Sequence, residues 1–120
     1  FVEWLVKIDY SLPNSSIQFL SNETVLQGLG AAVGFAERNP ILQPRMKHCL
    51  VLLQEQLESD PSGDPIGIGE FDRLRKGIDP ARVNVGQATR EIVFRAFREY
   101  FMSDGTENMS RCWEIAAGMS

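Results

Sequence analysis

GQATREIVFRAFREYFMS, residues 86–103, decides the fold class. Its apolar pairs Ile92/Val93, Ala96/Phe97 and Tyr100/Phe101 recur every four residues. That is the period of an amphipathic helix, whereas a half-buried strand would alternate every second residue. Asp104-Gly105 breaks the pattern, and Thr106 is the predicted cap of a last helix carrying Met109, Cys112, Trp113 and Ala116.

The same period recurs toward the N-terminus. Met46, Cys49, Leu50, Leu53 and Leu57 form one stripe behind Pro44, which suits a first helical turn. Upstream, Asn22 or Ser21 caps a predicted helix over 23–38 that Asn39-Pro40 terminates. A short link predicts that these two form an antiparallel hairpin. Phe1, Trp4, Leu5 and Ile8 share another helical face, stopped by Pro13, and Ser15 to Gln18 reads as a capping box. FDRLRK, from Phe71, predicts a short helix closed by Gly77, and Asp79-Pro80 opens another turn. No convincing strand pattern, internal repeat or low-complexity tract is present. The expectation is an all-α single domain of five to six helices over 1–120. Residues 1–58 form an N-terminal helical part, 59–70 a flexible Gly/Pro-rich loop and 71–120 a C-terminal helical part.

Composition agrees with one globular domain: 120 residues, of which 43% are hydrophobic. The net charge of −4 gives no general attraction to nucleic acid or anionic membrane. The distribution is uneven. Residues 1–70 carry four cations and nine acids, a balance of −5, while 71–120 carry eight cations and seven acids, a balance of +1. No apolar run reaches the roughly 18 residues of a membrane span. Cys49 and Cys112 fall on apolar stripes and are expected as buried free thiols. With so few cysteines a cytoplasmic setting is expected, and the sequons at Asn14, Asn22 and Asn108 read as chance.

GDPIGIGEFDRLRKG, residues 63–77, is the one stretch that invites a ligand. As a phosphate loop it lacks a preceding strand and a Gly-Lys-Ser/Thr ending, and Asp72 stands where a dinucleotide fingerprint needs its third glycine. Counted from Asp60 as a calcium loop, it has Pro65 at the turn glycine and Phe71 at the closing glutamate. His48, the only histidine, sits beside Cys49 rather than at zinc-ligand spacing, and both read as packing residues. No serine occupies a nucleophile elbow, and pairs such as Glu55/Glu58 and Asp60/Asp64 lie in solvated stretches. The expectation is therefore no enzyme, no cofactor and no metal, and the glycine loop reads as a hinge.

Two functions remain. The first is a protein-interaction or assembly module, possibly self-associating. Phe1, Trp4, Phe19, Phe35, Phe71, Phe97, Tyr100, Phe101 and Trp113 are too many to presume fully buried, and surface aromatics anchor partners. Its candidate contacts are Gly30 and Gly34, a four-residue notch expected to be a close helix crossing inside the fold or a subunit contact, and Ile66 and Ile68 in the loop. The second is a nucleoprotein-like or coat-like domain that binds single-stranded RNA through Arg73, Arg75, Lys76, Arg82, Arg90 and Arg98. Arg95 is set aside, because Glu91 and Glu99 flank it at four-residue spacing in a predicted salt-bridge ladder.

Overall fold

A computed structural model describes Trp4, residues 19–20, 22–60, 63–75 and 85–118, with the side chains of 75, 85 and 86 outside the description. Five helices follow one another: α1 (Glu23–Glu37), α2 (Leu42–Ser59), α3 (Ile68–Arg75), α4 (Val85–Met102) and α5 (Met109–Gly118). No strand occurs among the described residues. The predicted all-α class is observed. Of the predicted N-terminal helix only Trp4 is described. The capping box at Ser15 and the turn at Asp79-Pro80 lie outside the described residues.

Caps set the helix boundaries. The Asn22 side chain accepts hydrogen bonds from the Thr24 and Val25 backbone nitrogens, and Glu23 in the first turn suits the positive end of the helix dipole. Asn39 does the same for Ile41 and Leu42, so α2 starts two residues before the predicted Pro44. Asn108, not Thr106, caps α5 by accepting from the Arg111 nitrogen at 2.8 Å. Thr106 instead donates its hydroxyl to Ser103 O at 2.7 Å, closing the turn after α4. That turn holds Asp104 and Gly105 at positive φ. Two of the three sequon asparagines, Asn22 and Asn108, are thus helix caps.

α4 is the central helix and packs against α1, α2 and α5. It approaches α1 tightly at Gly28, where a Cβ would lie 2.6 Å from Val93 Cβ and 2.8 Å from Arg90 O. Only a residue without a side chain admits that crossing. The tight crossing foreseen at Gly30 and Gly34 is therefore made at Gly28 instead, on the buried face of α1. The α2 stripe is buried as read, with Leu42 added at its start.

Trp113 of α5 is the hub of the core and is fully buried. Phe71 lies 4.9 Å from it, Phe97 5.8 Å and Phe19 6.2 Å, the last two edge-on. Such edge-to-face contacts add to simple area burial. Trp113 Nε1 donates to Ile66 O at 2.8 Å. That bond draws the glycine loop into the core: Ile66 is completely buried, and Ile68 packs partly buried against the core. Asp64 then accepts from Ile68 N at 2.9 Å and Gly69 N at 3.0 Å, which starts α3 three residues before Phe71. The hinge reading of this loop is corrected, since residues 64–69 are fixed at both ends.

Candidate interaction face

α1 buries Val25, Gly28, Leu29, Ala32, Val33 and Ala36. Its opposite side carries Gln27, Gly30, Ala31, Gly34 and Phe35, which bear no charge over two turns. Charged side chains appear only at the ends, Glu23 at one and Glu37 and Arg38 at the other. A solvent-facing helix surface is ordinarily polar, so this face is unusual for its composition.

The notch at its centre is open. Among the described residues nothing lies within 4 Å of a Cβ placed on Gly30, and only Arg38 Nη1, at 4.0 Å, reaches one on Gly34. Each helical glycine costs roughly 1 kcal/mol against alanine. Gly28 has its reason inside the fold, in Val93, while the notch glycines have none there. Beside them Phe35 stays 38% exposed, its ring edge-on to Phe94 of α4 at 6.0 Å. Sequence reasoning named Gly30 and Gly34 but did not single out Phe35. The signal was present: the buried positions of α1 already account for its whole inner stripe, which leaves position 35 outside.

Ile66 is fully buried and so unavailable as a partner contact, while Ile68 packs partly buried against the core. The arginines are dispersed. Arg73 is engaged by Glu70, its Nε at 3.0 Å and its Nη2 also bonded. Arg75 lies on α3 with its side chain undescribed, and Lys76 and Arg82 lie outside the described residues. Arg90 Nη1 donates to Gln27 Oε1 of α1 at 3.0 Å. Arg98 sits over the Phe94 ring at 5.4 Å from its centroid. Arg90 and Arg98 thus bracket one aromatic residue, but Arg73 stands on another helix with its charge matched. Arg95 reaches Glu91 at 3.9 Å, one rung of the predicted ladder.

The remaining titratable groups are placed as follows. His48 is exposed, with Nδ1 2.9 Å from Asp104 Oδ1, so its reading as a packing residue is corrected. Cys49 and Cys112 are free and buried, as expected. Burial pushes both thiols up to about 12, and Cys49 donates to Tyr100 O at 3.4 Å. A thiol so protonated is no nucleophile at neutral pH. A depression of about 310 Å³ lies between the α2 C-terminus and the α5 N-terminus, lined by Asp60, Asp64, Pro65, Asn108, Met109 and Ser110 among others. Both Asp64 oxygens are already committed to capping α3. No three potential metal ligands cluster among the described residues, and none of their helices is long and apolar enough to cross a membrane.

Comparison with protein-family models, with curated proteins and with solved structures finds no match to this chain.

Proposed function

We propose that the protein is a non-enzymatic helical interaction module that docks partners on the outer face of α1. The observation that carries this reading is the open Gly30/Gly34 notch beside exposed Phe35. Two glycines weaken a helix for nothing unless a surface packs closely on them, and Phe35 supplies the aromatic anchor such contacts use. The two cysteines held as thiols support placing the module in a reducing, cytoplasmic compartment. The test is a photo-crosslinking residue at Ala31, with the same residue at Val51 of α2 as control. A discrete protein adduct from position 31 alone, identified by mass, supports the reading. Equal labelling from both positions, or none, overturns it.

A second reading, single-stranded RNA binding, is favoured by one observation: Arg90 and Arg98 lie one turn either side of Phe94. Arginine forks beside an aromatic face suit phosphate and base together. Binding that weakens steeply as salt rises supports it, because counterions are released on contact.

A further inference from the structure

We infer that the partner on this face is a second copy of the chain, with the two α1 helices antiparallel. The inference rests on the α1 face being the docking face. Its first ground is shape. Knob and notch lie on the same helix, Phe35 next to Gly34 and one turn from Ala31. A two-fold axis through the notch brings Gly30 of one copy against Gly34 of the other, and each Phe35 beside the Ala31 opposite. A surface carrying both halves of its own contact suits the isologous geometry of a two-fold dimer.

The second ground is charge. Glu23 and Arg38 close the two ends of a face whose α1 side chains are otherwise uncharged, with Arg90 of α4 bonded to Gln27, and among the described residues neither Glu23 nor Arg38 has an ion-pair partner. Glu23 receives only a 3.4 Å contact from Gln27 Nε2. In the antiparallel arrangement Arg38 overhangs the first turn of the opposite α1, within reach of its Glu23, and the symmetry makes this pair twice. A parallel arrangement would set Glu23 against Glu23 and Arg38 against Arg38. The charge pattern selects one direction and disfavours the other. Fifteen residues of helix span about 22 Å, so this contact is small and the dimer is reversible.

Sedimentation equilibrium of the purified chain over a range of concentrations tests this. The expected result is a monomer–dimer equilibrium. Gly30→Leu with Gly34→Leu lowers the association constant about tenfold or more, the loss of a central contact. Dichroism and thermal melting of that variant confirm its fold, and Phe35→Glu serves as a second, milder probe. Glu23→Arg alone, and Arg38→Glu alone, each weaken the dimer about fivefold through two exposed pairs. Combined, the two charge changes restore it. A monomer at every concentration overturns the inference, as does a dimer indifferent to the notch and Phe35 variants. Failure of the double charge variant to recover overturns the antiparallel direction. If the chain is monomeric while Ala31 crosslinks a different protein in cells, the interaction module stands and the self-copy falls. An adduct with RNA instead overturns both.

Discussion

A methyl group on Gly67 would lie 2.9 Å from the Ser110 nitrogen and 3.0 Å from the Trp113 ring, on a residue whose φ is +71°. Both the crowding and the left-handed backbone oppose a side chain there. Gly67→Ala is expected to lower unfolding free energy by about 2 kcal/mol in urea titration. Ile66→Ser, which removes a fully buried side chain and leaves a hydroxyl in its place, is expected to cost about 3 kcal/mol or more by the same measurement, without changing association. The buried thiols give a pH signature. Cys49 and Cys112 have ordinary values of 9.0 and hold their protons to about 12 when folded. Between those limits the folded state binds more protons than the unfolded chain. Their contribution is therefore full below pH 9 and is lost as pH rises toward 12. Burial raises Tyr100 as well and carries the loss further into alkali. The midpoint of thermal unfolding should fall from pH 8 to pH 10.5, and fall less in Cys112→Ala.

Helix termini were the least legible feature of the sequence, and the reason is local. Asn39 and Asp64 each cap a helix across two to five residues, so the first helical residue precedes the one the apolar period marks. Periodicity reports the buried stripe and is silent about unpaired backbone groups at the ends. The α2 stripe shows the other side of this: Met46, Cys49, Leu50, Leu53 and Leu57 are all buried as their spacing implies. Within α1 the glycines separate into two kinds with opposite consequences. Gly30→Ala and Gly34→Ala are each expected to raise stability by about 0.5–1 kcal/mol, since helix propensity improves and no neighbour objects. Gly28→Ala is expected to lower it, because Val93 and the Arg90 carbonyl occupy the space. Chemical denaturation at concentrations where the chain is monomeric measures all three.

At the scale of the molecule, the all-α class was legible because the described helices repeat one period and no described segment alternates. The packing of the predicted N-terminal part on the C-terminal part was not, because it depends on which helix α1 touches. Its main contact with α4 spans sixty residues of chain and leaves no local trace. The glycine loop misled for the same reason: its composition is that of a linker, and its position is set by Trp113, far away in sequence. The candidate site was half legible, in Gly30 and Gly34. The arginine series looked continuous in sequence, yet Glu70 neutralises Arg73 and α4 separates Arg90 and Arg98 from it. With a net charge of −4 as well, a fluorescence titration with single-stranded RNA at physiological salt is expected to show no saturable binding. Saturable binding that strengthens as salt is lowered would restore the arginine reading.

The position of Trp113 also bears on how the protein is made. Phe19, Phe71 and Phe97 all pack on its ring, and Ile66 is held by its nitrogen. All four precede it in the chain. While the protein is being synthesised, every one of them emerges before the residue that gathers them. The growing polypeptide can form helical turns early, but its apolar side chains stay without a common centre until α5 leaves the ribosome. Completion of the fold thus waits for α5, and a chain halted before residue 113 presents its core to the cell's chaperones.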